Sequence, residues 1–313
     1  MEYLKLIAGF FVLIYSGDFL VRGGVSLAKN FKVSTLVIGV TVVSLGTSLP
    51  ELFVSAEAAF KGYPEMAIGN VIGSNIANIA LVLGLTTIVF PLVVKKTSAY
   101  FDTPFMIIIS ILLYILLLDN SLQIIEGIIF VALLAFFIYN TFRKSIKNKS
   151  INPEDKGKPK YTTGISIIII LLSSIGLKFG AEWLVTGAVF VAKQFNVSET
   201  IISVTLIAFG TSVPELATSL IAAFKKEPDI SVGNIVGSNI FNILGVLGVT
   251  SIIKGVDITD PVIMGFHIYW MLTIAVLLFI VLLPVFKLKM QRIKGILFFI
   301  FYITYIWVMF RQL

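Results

Sequence analysis

The segment GTSLPE (Gly46–Glu51) sets a proline and a glutamate inside an apolar run long enough to cross a bilayer. Nearly the same string, GTSVPE, returns at Gly210–Glu215. Outward from these two strings the likeness continues. The forty residues 46–85 match 210–249 at 23 of 40 positions without a gap, at a constant offset of 164. At the same offset DFLVRGGVSLAKNF (18–31) pairs with EWLVTGAVFVAKQF (182–195). The identities fall on Gly, Pro, Glu, Ser and Asn more than on Leu, Ile and Val, so the copies share a chemistry and not only a packing pattern.

Of the 313 residues, 58% are hydrophobic and 13% are charged, against about 25% charged in an ordinary soluble domain. Apolar runs of roughly 20 residues, enough to span the hydrocarbon, recur along the chain. They predict ten spans near 4–28, 33–60, 65–91, 104–118, 122–141, 163–191, 197–224, 229–253, 262–284 and 293–310. The short fourth span ends at Asp119-Asn120 and forms a tight hairpin with the fifth. Runs such as GIIFVALLAFFIY lack the alternation of a β-barrel strand. The first run, Leu4–Ala28, is too long for a signal peptide and has no small-residue cleavage site. With no cysteine and one histidine, His267, disulfides, thiolate metal sites and imidazole clusters are excluded.

The polar stretch RKSIKNKSINPEDKGKPK (143–160) divides the chain into a first repeat at 1–142 and a second at 161–313. Seventeen Lys and Arg lie in the loops after spans 1, 3, 5, 7 and 9, against five (Lys5, Lys61, Lys193, Lys254 and Arg311) on the other side. Positive charge stays cytoplasmic, which puts the linker in the cytoplasm and both termini outside the cell membrane. The same sorting explains the net charge of +7 without nucleic acid. Five spans separate each repeated pair, an odd number, so the copies cross in opposite directions. The expected fold class is an all-α polytopic membrane protein: ten transmembrane helices in two inverted five-helix repeats, with interrupted helices lining a central cation site. Such repeats place binding near the bilayer midplane.

Pro50 and Pro214 have no amide hydrogen, which frees the carbonyls of Gly46 and Gly210 and displaces those of Thr47 and Thr211. Free carbonyls at membrane depth are tolerated where they line a cavity or meet a ligand. Thr47, Ser48, Glu51 and Ser55 share one helical face, and Thr211, Ser212, Glu215 and Ser219 repeat it. On the next span Asn70, Ser74 and Asn78 recur every four residues, with counterparts Asn234, Ser238 and Asn242. Two carboxylates among hydroxyl, amide and carbonyl oxygens suit a hard cation such as Ca²⁺. A carboxylate in the bilayer needs a partner; no Lys or Arg lies in either motif core, so that partner is a cation or a proton. Asp18 and Glu182 are acidic in both copies, and Asp18 has Arg22 four residues on. Glu57 aligns with Ile221 and Lys178 with Ile14, outside any symmetric site.

The doubled GTS-x-PE and GN-x-x-GSN-x-x-N signatures resemble the α-repeats of the cation/Ca²⁺ exchanger superfamily, most closely a prokaryotic Na⁺/Ca²⁺ exchanger. The resemblance covers essentially the whole chain. It implies a non-enzymatic antiporter that exports Ca²⁺ against Na⁺ by alternating access. There Glu51 and Glu215, with the carbonyls of Thr47 and Thr211, bind Ca²⁺. Ser48, Ser74, Ser212 and Ser238 complete the Na⁺ sites with the backbone of Ser44 and Ala208, and Asn78 and Asn242 lie nearby. Three Na⁺ for one Ca²⁺, as the resemblance implies, moves net charge. K⁺-dependent branches carry aspartate where this chain has Asn78 or Asn242, which favours K⁺ independence. An H⁺/Ca²⁺ antiporter is the alternative. No cofactor is implied, no obligatory protein partner is evident, and the expected partners are Ca²⁺, Na⁺ (or H⁺) and the lipid bilayer.

Overall fold

In hydrocarbon every backbone N–H and C=O must be paired within its own segment, and the apolar runs meet that demand as helices. The computed structural model describes residues 1–147, 158–195, 197, 208–258, 260–283 and 288–312. Its helices in chain order are α1 (Glu2–Phe31), α2 (Thr35–Thr47), α3 (Leu49–Phe60), α4 (Glu65–Val89), α5 (Ser98–Asp119), α6 (Ile124–Lys147), α7 (Thr163–Gln194), α8 (Ala208–Gly210), α9 (Val213–Phe224), α10 (Pro228–Ile253), α11 (Ile263–Val281) and α12 (Arg292–Gln312). Four two-residue strands, β1 (Leu92–Val93), β2 (Ser121–Leu122), β3 (Val256–Asp257) and β4 (Lys289–Met290), complete the described elements.

Among the described residues eight helices are long and apolar enough to cross a membrane, and α2 with α3 makes a ninth span bent by 43°. The expected seventh span, 197–224, is described as helix only from Ala208 onward as α8 and α9, and 198–207 lie outside the described residues. The fourth span is longer than expected. It starts at Ser98 because a wide π-turn over Ser98–Asp102 leads into the Thr103–Leu116 helix, where Pro104 stands in the first turn and leaves no amide orphaned. The hairpin to α6 is as expected: a 3₁₀ turn at Leu117–Asp119, then Asn120 with φ 59°, a conformation Asn tolerates. Helix α6 extends to Lys147, into the stretch expected as linker.

α4 and α10 are the centre of the molecule, with 83% of each apolar stretch buried against 17–39% for the other spans. Their outer ends lean on neighbours through paired glycines. A Cβ on Gly84 of α4 would stand 3.2 Å from the Gly295 carbonyl of α12, and one on Gly248 of α10 would stand 3.2 Å from the Gly127 carbonyl of α6. The strands link the halves: β1 pairs antiparallel with β4 (Leu92 opposite Met290), and β2 with β3 (Ser121 opposite Asp257). Aromatic clusters follow in both halves. Phe101, Phe105 and Phe137 cluster with centroids 4.7–6.5 Å apart, and Phe266, Trp270 and Tyr305 cluster at 5.6–5.9 Å.

Candidate functional site: a buried oxygen cage

The two proline breaks have the same local form. Ser48 adopts φ −85°, ψ 3° and Ser212 φ −88°, ψ 2°, and each is followed by a helix with proline in its first turn and the glutamate beside it. Backbone bonds cross the first break from Ser48 N–H to Ser44 C=O (2.9 Å) and from Leu52 N–H to Ser48 C=O (3.2 Å). The second break is crossed from Ser212 to Phe209 (3.0 Å) and from Leu216 to Ser212 (3.0 Å). None of these reaches the carbonyls of Gly46, Thr47, Gly210 or Thr211. Glu51 and Glu215 sit in the first turns of α3 and α9, where the helix dipole favours negative charge.

Asparagines on the central helices hold the breaks in place. Asn70 Nδ2 donates to Ser55 Oγ (3.1 Å) and to the Glu51 carbonyl (3.5 Å). Asn234 Nδ2 donates to Ser219 Oγ (3.0 Å) and to the Glu215 carbonyl (3.5 Å). Ser55 and Ser219, read from the sequence as part of the motif face, are thereby occupied as anchors.

Between the breaks the side chains expected from the sequence converge. Thr47 Oγ1 lies 3.2 Å from Ser238 Oγ, and Ser74 Oγ lies 3.3 Å from Thr211 Oγ1, two contacts related by the offset of the repeats. Thr47 Oγ1 also donates to Asn234 Oδ1 (3.0 Å) and to the Ser44 carbonyl (3.2 Å). Ser238 Oγ donates to Glu215 Oε1 at 3.5 Å. Glu51 and Glu215 are near enough to interact electrostatically. Both glutamates are fully buried. Ala208 opens α8 and brings its backbone to the second break.

A set of buried polar atoms is left without partners: both carboxylate oxygens of Glu51, Oε2 of Glu215, the hydroxyls of Ser48 and Ser212, the amide oxygen and nitrogen of Asn78 and Oδ1 of Asn242. An unpaired buried carboxylate costs several kcal/mol, so this arrangement calls for a positive species between the acids. Among the described residues no three His, Cys, Asp or Glu side chains converge. The formal charge that the described residues bring to the cage is that of the two glutamates, which a single divalent ion neutralises.

Asn75 and Asn239, which the spacing argument does not single out, also contribute. Asn242 Nδ2 donates to Asn75 Oδ1 (3.0 Å), and Asn75 Nδ2 donates to the Asn239 carbonyl (3.3 Å), so this pair ties α4 to α10 beside the cage. The signal was present, since both are the Asn of the repeated GSN.

The surroundings of the cage are unequal. A cavity of about 810 Å³ runs along Met66, Gly69 and Gly73 to the neighbour of Ser74, walled by His267, Tyr302 and Tyr305. The counterparts Ile230, Gly233 and Gly237 are buried. There α2 lies so close that a Cβ on Gly237 would meet the Val40 carbonyl at 2.6 Å.

Comparison with known proteins agrees with this architecture. The Sodium/calcium exchanger protein family matches residues 2–143 and 165–311. The sodium/calcium exchanger MaX1 of Methanosarcina acetivorans is 27% identical over 348 residues, covering 99% of each chain. The inner membrane protein YrbG of Escherichia coli is 37% identical over 268 residues, 82% of this chain and 81% of that one. The solved structure of the sodium/calcium exchanger from Methanococcus jannaschii superposes with a TM-score of 0.82 at 32% identity, over 97% of both chains. With nearly the whole length matched in both halves, the chain belongs to the sodium/calcium exchanger family.

Proposed function

We propose that the protein is a secondary antiporter of the cell membrane that exports Ca²⁺ in exchange for Na⁺ by alternating access. Members of the family are transporters rather than enzymes. The observation that carries the reading is the buried pair Glu51 and Glu215 with unpartnered oxygens, inside a shell that offers hydroxyls and amides but, among the described residues, no Lys or Arg paired with either acid. In this reading the two carboxylates and the carbonyls of Thr47 and Thr211 hold Ca²⁺. The hydroxyls of Ser48, Ser74, Ser212 and Ser238 and the carbonyls of Ser44 and Ala208 serve Na⁺, with the amides of Asn78 and Asn242 alongside. The ions share oxygens, so occupancy by one excludes the other, which is the condition for exchange rather than co-transport.

The repeats 1–142 and 161–313, joined by the 143–160 linker, cross the bilayer in opposite directions in this reading, completing ten spans around the cage. Both termini lie outside the cell and the linker inside, following the distribution of Lys and Arg. More than two Na⁺ per Ca²⁺ moves net charge, worth about 2.3 kcal/mol per charge per 100 mV. The test is ⁴⁵Ca²⁺ uptake by proteoliposomes loaded with Na⁺. Uptake should require internal Na⁺, ignore external K⁺ and rise when the vesicle interior is made positive, because more than two Na⁺ leaving for each Ca²⁺ entering carries net positive charge outward. Uptake driven by a pH gradient in Na⁺-free buffer would select H⁺ exchange instead, and flux independent of any counter-ion would overturn antiport.

A further inference from the structure

Two acid–lysine combinations related by the repeat offset stand in opposite states. Asp18 of α1 and Lys225 after α9 form an ion pair, with side chains only 20% and 26% exposed, and Asp18 also meets Arg22 at 2.7 Å. At offset 164 the counterparts are Glu182 of α7 and Lys61 after α3. Glu182 is exposed and makes no ion pair among the described residues. Lys61 instead pairs with Glu57 at 2.6 Å, both side chains 64% exposed.

The difference follows the two sides of the cage. Lys225 stands five residues before the buried Ile230, on the side where α2 covers Gly233 and Gly237. Lys61 borders the open side, where the next residues, Gly62 to Met66, line the cavity and Met66 is 61% exposed. Where the pair is made, α1 fits tightly on α9: a Cβ on Gly17 would stand 2.7 Å from Ile221 Cδ1. One residue on from Gly17 is Asp18, and one turn on from Ile221 is Lys225. On the open side Ala181 and Glu57 take those places. Helix α7 already lies along α3 there, with Lys178 Nζ 5.0 Å from the Phe53 ring. Glu182 is one turn beyond Lys178, and Lys61 is two turns beyond Phe53, so Glu182 and Lys61 lie toward the same end of that contact.

We infer that Asp18–Lys225 and Glu182–Lys61 are alternating latches, one closed while the other is open, and that Glu57 holds Lys61 while its latch is open. They act as positioning residues that set the balance between the two access states. The inference rests on the alternating-access reading. It adds a role for Glu57, whose counterpart in the other repeat is Ile221.

The test uses the absence of cysteine in the chain. Met66→Cys reports the open side and Ile230→Cys the covered side, each labelled with a neutral maleimide on purified protein without an ion gradient. Asp18→Asn and Lys225→Met should slow labelling at position 66 and speed it at position 230 by about two- to fivefold, while Lys225→Arg keeps the original rates. Glu182→Gln should do the opposite at both reporters. Glu57→Gln frees Lys61 for Glu182, so it should act like Asp18→Asn. Opposite movement at two distant reporters separates a shifted equilibrium from a local effect or from loosened folding. Unchanged rates, or Glu57→Gln and Glu182→Gln moving a reporter in the same direction, would overturn the latch. Because labelling needs no transport, shifted rates with no Na⁺-driven flux would count against the exchanger reading alone.

Discussion

Glu51 and Glu215 are equivalent in sequence but not in surroundings: Ser238 donates to Glu215, while both oxygens of Glu51 are left to the cage. Glu51→Gln and Glu215→Gln should each abolish Na⁺-dependent ⁴⁵Ca²⁺ flux while the protein still elutes as a folded species. A neutral amide removes the charge that holds the ion but keeps the shape. Normal flux from either variant would defeat the site assignment. Asn70→Ala removes the donor to Ser55 and to the Glu51 carbonyl, and an orphaned buried hydroxyl costs about 1–3 kcal/mol. We expect it to lower the melting temperature modestly and weaken Ca²⁺ dependence of flux, with Asn234→Ala doing the same through Ser219. Most cage residues were legible because repetition separated chemistry from hydrophobic background. Asn75 and Asn239 were not singled out, because a repeated Asn looks the same whether it faces an ion or the opposite helix.

At the scale of elements, the broken helices were readable from Pro50 and Pro214, whose effect on the backbone is local. Pro50→Ala lets the chain offer an amide to the Gly46 carbonyl across the break. It should reduce turnover in the flux assay while leaving thermal stability near that of the parent. The fourth span is longer than the expected 104–118 because the π-turn over Ser98–Asp102 extends it at its start, with Asp102 buried at the end of that turn. The contact of α6 with α10 depends on Gly127, where an added Cβ would stand 2.7 Å from the Gly248 carbonyl. Gly127→Val should therefore cost about 1–3 kcal/mol by overpacking, seen as a lower melting temperature in detergent. No such loss would show that the helices can part freely there.

For the whole molecule, periodicity and the count of apolar runs gave the helical membrane class, and offset gave the pairing of the halves. What a single sequence withheld was the inequality between the two sides of the cage. Met66 and Ile230 are both apolar residues at equivalent positions, yet one is 61% exposed and the other fully buried. Such a difference belongs to the conformation rather than to the residue, so no pattern of letters records it. The paired ribbons have a further consequence, for assembly. β1 cannot find its partner until β4, nearly the whole second half later, has been made and inserted, and contacts between such distant segments form slowly because their loop must close first. A chain that stops before residue 288 would leave the edge of β1 unpaired, and quality control that reads exposed strand edges would see an unfinished protein until the last span is in place.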